Sequence, residues 1–338
     1  MADQYPAIAI VGATGVVGLE AIKILESRRY PPERIRCYGS VRSAGSTISY
    51  MGTQLTVSLL DEITENPPEF ALLCADAHTA LRVRDMLEST ATTIIDNSSA
   101  FRMDPDVPLV IPEVNGHLLH SKPSLVANPN CSTIMMLTAL EPIREAYGIQ
   151  NISVTTYQAV SGAGKAGIQE LRDQTRAHLD GLDETPSVFP CSCAMNVFEH
   201  ESAIDPETGF NGEETKMILE SRRIWNDQTL SVLPTCIRVP VERAHSQSIV
   251  VEVSTPITVQ KIRSRLQSSG IRVLENGVSL TPRDVAGHDE VFVGRIRIDP
   301  HSNGTRVLLW ICCDQIRKGA ALNAIQIMDS YIKMQQGS

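Results

Sequence analysis

No apolar run in this sequence approaches the length of a membrane span, and its first residues lack the basic-then-apolar pattern of a secretory signal. A membrane-spanning or exported protein is therefore not expected, and a cytoplasmic one is. The strand-like run Ala7–Val11 begins almost at once, so no segment is expected to precede the fold. Positive charge is in short supply, with 30 Lys and Arg against 39 Asp and Glu and a net charge of −9. Phosphate backbones need basic surface, so nucleic acid is not an expected partner, and an anionic substrate would need a locally basic pocket. Internal repeats and low-complexity segments are missing too. Neither Cys191-Ser192-Cys193 nor Cys312-Cys313 has a His or Cys partner at finger-like spacing, so no metal is expected. Without a signal segment, the eight cysteines are expected to be reduced thiols.

What is present is ordinary for a soluble enzyme: 338 residues, 42% hydrophobic and 20% charged, enough for about two domains. The first part alternates strands (Ala7–Val11, Arg36–Val41, Phe70–Cys74, Thr93–Ile95, Leu125–Ala127) with helices (Gly15–Arg29, Leu81–Glu88). That order predicts an α/β domain with a doubly wound, Rossmann-type parallel sheet. Later strands, Ile152–Val160, Leu230–Leu233, Ile249–Ser254, Val291–Ile298 and Arg306–Cys312, are longer, and several alternate in polarity. Their connections look long and poor in helix. They predict an α+β domain with a mostly antiparallel sheet and helices on one face. The expected boundaries are 1–131 for a cofactor domain, 132–316 for a catalytic domain, and 317–338 for a closing helix, Gly319–Tyr331, that returns to the first.

Three local patterns carry chemistry. Strand Ala7–Val11 runs into Gly12-Ala13-Thr14-Gly15-Val16-Val17-Gly18 and a helix. Glycines so placed give a tight turn, close approach of a pyrophosphate, and close helix–strand packing. At the end of the second strand, where an acid would hold the ribose of NAD, Ser40-Val41-Arg42-Ser43-Ala44-Gly45 offers a guanidinium and a hydroxyl. These suit a 2′-phosphate and favour NADP. In Asn128-Pro129-Asn130-Cys131-Ser132-Thr133 a cysteine stands at the start of an apolar-periodic helix. Unpaired N–H groups and the helix dipole there favour a nucleophilic thiolate, although a small buried cysteine beside a plain helix cap would look the same.

Other polar groups cluster near strand ends. Arg102 follows the fourth strand at the carboxyl edge of the parallel sheet, where ligands bind. Ser161-Gly162-Ala163-Gly164-Lys165 reads as a flexible loop, and Glu213-Glu214-Thr215-Lys216 as a charged helix start. His245 is the one histidine of eight close to an arginine-bearing strand end, Thr235–Pro240.

In their order and spacing these motifs resemble aspartate-semialdehyde dehydrogenases along nearly the whole chain, from Gly12–Gly18 to Lys318–Gln326. The resemblance implies reversible, NADPH-dependent reduction of L-aspartyl 4-phosphate to the semialdehyde through a Cys thioester, in lysine, threonine and methionine biosynthesis. It implies Cys131 as nucleophile and His245 as acid/base, meeting across the domain junction. Arg238 would hold the substrate carboxylate, Glu213 its amino group, and Gln158 would orient the reacting group. Arg102, Asn130 and Lys216 would bind phosphate. NADP would touch Gly12, Ala13, Thr14, Gly15, Val16, Val17, Arg42, Ser43, Ser161, Gly162 and Gln315 or Asn323. A homodimer or tetramer would form through the second sheet. The sequence departs from the family's small Ser-Ala-Gly-Gly-like segment at Cys74-Ala75-Asp76-Ala77-His78-Thr79, of which only Thr79 is carried over as a cofactor contact. A related N-acetyl-glutamyl-phosphate reductase would lack the Arg238–Glu213 pair, and a non-catalytic NADP-binding sensor would need only the cofactor half.

Overall fold

The computed structural model describes residues 5–336, which pack as two compact units. One runs to Asn130 and resumes at Ala320; the other is Cys131–Gly319.

The first unit is built on seven strands: β1 (Ile8–Val11), β2 (Ile35–Gly39), β3 (Thr47–Tyr50), β4 (Thr53–Leu59), β5 (Phe70–Leu73), β6 (Thr93–Asp96) and β7 (Leu125–Ala127). Their order is β3-β4-β2-β1-β5-β6-β7, parallel except for the β3–β4 hairpin at the edge. Every residue of β1, β5 and β6 is buried, as the apolar runs require of strands covered on both faces. Helix α1 (Val16–Ser27) buries Ala21, Ile22, Ile24 and Leu25 against them. Helix α2 (Ala77–Leu87) starts four residues before the sequence reading placed it. Asp76 caps it by accepting from Thr79 N at 2.9 Å. A short helix α3 (Pro112–Asn115) and the closing helix Leu322–Gln336 complete this unit, with Leu322, Ile325, Met328 and Tyr331 in the same core as β1 and β5. The hairpin was not anticipated. Its strands are half polar and exposed, and its two-residue turn pairs Gly52 with Met51 at φ 46°, not with the Asn or Asp that signals such turns.

The second unit starts with helix α4 (Cys131–Tyr147), followed by β8 (Ile149–Gln158), α5 (Gly164–Leu179), β9 (Phe198–Glu199), α6 (Gly212–Ile224), β10 (Ser231–Arg238) and β11 (His245–Val253). Helix α7 (Val259–Ser268), β12 (Arg272–Val273), α8 (Pro282–Val285), β13 (Phe292–Ile298) and β14 (Arg306–Cys313) complete it. The sheet order is β12-β13-β14-β11-β8-β10-β9, antiparallel except for the β8–β10 and β12–β13 pairs. Helix α4 packs on β8, β11 and β14, flanked by α6 and α7. The other sheet face carries exposed Leu233 and half-buried Tyr157, Val250, Leu308 and Trp310. The connections hold more helix than the sequence suggests, because the pattern of α5 does not announce a helix. Its buried side is polar: Glu170 accepts from the backbone N–H groups of Ser187, Val188 and Phe189, and Gln174 from that of Cys193.

Candidate active site

In the first unit, glycine is required where the chain turns from β1 into α1. Gly12 has φ 79°, and a Cβ there would lie 2.6 Å from Cys74 O; one on Gly18 would lie 2.4 Å from Gly12 O. Among the described residues no side chain caps α1, so its first N–H groups are available to an anion. A cavity of about 430 Å³ opens at this turn. Gly12, Thr14, Gly15, Arg42, Ser43 and Thr79 line it, all of them expected cofactor contacts. The unexpected Asp76 also lines it, with its carboxyl held below the ordinary value by the Thr79 backbone hydrogen bond. Asn323 does not line this cavity. It is wholly buried, and its amide donates to Asn128 Oδ1 at 2.6 Å and Val110 O at 3.1 Å. Arg102 is nearly buried and donates from Nη2 to Asn97 O at 2.8 Å, and Asn130 is buried at the end of this unit.

The second unit gathers most of the remaining site residues at one end of its three adjacent strands. β8 and β10 run parallel and finish in register at Gln158 and Arg238. β11 runs the opposite way, so it begins at that same end, with His245. Gln247, two residues or roughly 7 Å farther along the same strand face, donates to Ser132 O in the first turn of α4 at 2.8 Å. Cys131 heads that helix. It was expected to meet His245 across the domain junction, but both residues lie inside the second unit.

His245 is fully buried. Its Nδ1 accepts from Ala159 N at 2.9 Å, which puts the proton of the neutral ring on Nε2. Nε2 is buried and has no hydrogen-bond partner among the described residues. Burial, aided by the Arg238 charge, pushes the imidazole pKa from 6.5 down to about 3. Arg238, 2% exposed, stacks over Phe189 and donates from Nη1 to Ala159 O at 2.9 Å. A Cβ on Gly162 would stand 3.2 Å from Arg238 Nη1 and 4.0 Å from His245 Nε2, so both atoms face one spot beside a bare backbone.

Around this spot, Gln158 donates to Glu213 Oε1 at 3.2 Å, and Lys216 Nζ lies 3.2 Å from Glu213 Oε2. Glu213 stands in the first turn of α6, whose start is fixed by an Asn211–Glu214 capping box. Gln315 accepts from Ala244 N at 2.8 Å and donates to Ser161 Oγ, joining two expected cofactor contacts. Ala244 is held at φ 72°, a left-handed conformation costly for a residue with a Cβ, immediately before His245.

Residues 7–122 match the family model described as semialdehyde dehydrogenase, NAD binding domain. Residues 140–318 match that of the semialdehyde dehydrogenase dimerisation domain. Over 332 residues the sequence is 41% identical to an aspartate-semialdehyde dehydrogenase of Prochlorococcus marinus, covering 97% of this chain and 96% of that one. The chain belongs to the aspartate-semialdehyde dehydrogenase family. The aspartate-semialdehyde dehydrogenase of Aquifex aeolicus is 41% identical over 335 residues, 96% of this chain and 98% of that one. Among solved structures, the aspartate semialdehyde dehydrogenase II of Vibrio cholerae complexed with ASA superposes with a TM-score of 0.93 at 38% identity. That match covers 97% of this chain and 98% of the other. Membership makes the chain an oxidoreductase of amino-acid biosynthesis with a dinucleotide-binding domain.

The sequence reading missed three groups of this family member's site. Asp314, wholly buried, accepts from Arg243 Nε at 2.7 Å and Gly287 N at 2.6 Å and so anchors the turn before His245. Gly319 leaves room for Cys131: a Cβ there would lie 2.9 Å from that of Cys131. Glu201 binds Arg238, from a segment with neither periodicity nor motif.

Proposed function

We propose that this chain catalyses the NADPH-dependent reduction of L-aspartyl 4-phosphate to L-aspartate 4-semialdehyde, and its reverse, with Cys131 as nucleophile. The observation that carries this reading is the convergence of Arg238 and the unpartnered His245 Nε2 on one spot beside Gly162, with the Cys131 helix packed against the same strand. A carboxylate, an ammonium and a reacting carbonyl need, in turn, a guanidinium, an acid and a hydrogen-bond donor. Arg238, Glu213 and His245 supply that set.

The Cys131 thiolate attacks the acyl carbon, the carbon–oxygen bond to phosphate breaks, and phosphate leaves with the electron pair, giving a thioester. Arg102, Asn130 and Lys216 bind the departing phosphate, and Gln158 orients the carbonyl. When bound, NADPH would supply the hydride that reduces the thioester. His245 manages the proton at Nε2, the ring nitrogen not committed to backbone, by donating toward the carbonyl oxygen as negative charge gathers there. Collapse of the thiohemiacetal returns the thiolate and releases the aldehyde. The first unit suits the cofactor: Gly12 to Gly15 form a turn, and Val16 and Val17 begin α1, open to pyrophosphate, while Arg42 and Ser43 suit a 2′-phosphate; in the second unit, Ser161, Gly162 and Gln315 would lie along the nicotinamide. The first unit, which includes the closing helix, serves as the NADP-binding domain, and the second as the catalytic and dimerisation domain.

Aspartate semialdehyde, phosphate and NADP, mixed with the protein, should raise absorbance in the reduced-nicotinamide band, and NAD in place of NADP should do so much less efficiently. No rise with either cofactor defeats the reading; equal efficiency defeats the NADP preference alone.

A further inference from the structure

Arg238 has five N–H donors, and four are committed. Nη1 gives one to Ala159 O. Nε and Nη2 form a fork onto the Glu201 carboxylate, at 3.3 Å to Oε2 and 2.6 Å to Oε1, and Nη2 also meets His200 Nε2 at 3.0 Å. One N–H, on Nη1, is left toward the spot beside Gly162. Of the two guanidinium edges that can grip a carboxylate bidentately, Nε/Nη2 already holds Glu201, and Nη1/Nη2 has its Nη2 proton given to His200. Glu201 follows closely on β9. His200 N donates to Cys236 O at 2.9 Å, extending the β9–β10 pairing as far as the residue before it. The Glu201 side chain is a quarter exposed while Arg238 is 2% exposed, so the glutamate can swing toward solvent and the arginine cannot follow.

We infer that Glu201 is a specificity-determining residue, an internal carboxylate that competes with the substrate carboxylate for Arg238. The inference rests on the Arg238 role proposed above. Burial opposes ionisation of Glu201, but the hydrogen bond and charge of Arg238 outweigh it and hold the carboxyl below its ordinary value, so the competitor is charged at neutral pH. An incoming carboxylate must displace it or accept the single Nη1 bond, because two anions on one fork repel. A ligand without a carboxylate meets no such competition.

Glu201→Gln keeps an oxygen on Arg238 but removes the negative charge, so an incoming carboxylate no longer meets a like charge on the fork. Glu201→Ala removes the group altogether. Calorimetric titration with L-2-aminobutyrate, which carries the carboxylate and ammonium without a reactive carbonyl, should show several-fold tighter binding to both variants than to the unaltered chain. In turnover, KM for aspartate semialdehyde should fall by a similar factor, with KM for NADP unchanged. Aminobutyrate binding that is unchanged or weaker in a Glu201→Gln protein of unaltered melting temperature overturns the inference. Should the unaltered chain fail to turn over aspartate semialdehyde, the proposed function falls, and the titration still decides the role of Glu201.

Discussion

Burial pushes up the thiols of Cys37, Cys74, Cys191, Cys193, Cys236, Cys312 and Cys313, to about 12 for Cys37 and Cys74 and about 11 for Cys312. Cys131 is the remaining one, half-exposed at a helix start. It should be alkylated by iodoacetamide faster than all the others near neutral pH, as read by peptide mass mapping, and Cys131→Ser should lower turnover by several orders of magnitude while NADP binding persists. Faster labelling elsewhere would contradict its role. His245 gives a pH signature. Its folded pKa, about 3, lies below the ordinary 6.5, so as pH falls the unfolded chain takes the proton first. The stability contributed by the neutral ring is complete above pH 6.5 and is lost between 6.5 and about 3. Urea midpoints measured across that window should fall less steeply for His245→Gln than for the unaltered protein. The strand and helix ends that carry Cys131, His245 and Arg238 were legible in the residues, while the roles expected of them came from the family resemblance. Glu201 and Asp314 were not legible, since a carboxylate's partner tens of residues away leaves no local pattern.

At the scale of elements, the parallel strands and α4 could be read from apolar runs and a 3.6-residue period. The β3–β4 hairpin and α5 could not. The hairpin turn lacks its usual residue, and α5 buries a glutamate and a glutamine where an apolar stripe would have announced it. Within the π-helical turn Arg317–Ala321 the chain passes close to the start of α4: Gly319 sits where a methyl would meet Cys131 Cβ at 2.9 Å and Gln315 Cβ at 3.3 Å. Contacts under 3.0 Å force one partner to move. Gly319→Ala should therefore slow Cys131 alkylation and cut kcat at least tenfold, with a loss of melting temperature of only a few degrees. Unchanged alkylation and turnover would show that the thiol tolerates a neighbour there.

For the whole molecule, the face of the second sheet opposite α4 exposes Leu233 and leaves Tyr157, Val250, Leu308 and Trp310 half-covered. An apolar stretch of this kind suits burial against a second copy. Sedimentation at micromolar concentration should give a mass of at least twice the 37.0 kDa chain, and Leu233→Asp should lower it. A monomer mass for the unaltered chain would count against this interface. The path of the chain has a further consequence. The first unit's core includes Leu322, Ile325, Met328 and Tyr331 from the closing helix, whereas the second unit is contained in Cys131–Gly319. On the ribosome, the stretch that is begun first must wait, with part of its interior uncovered, until nearly all the chain has been made. The stretch begun second can reach its native form ahead of it, so released chains truncated after Gly319 should resist protease in their later half and yield in their earlier one.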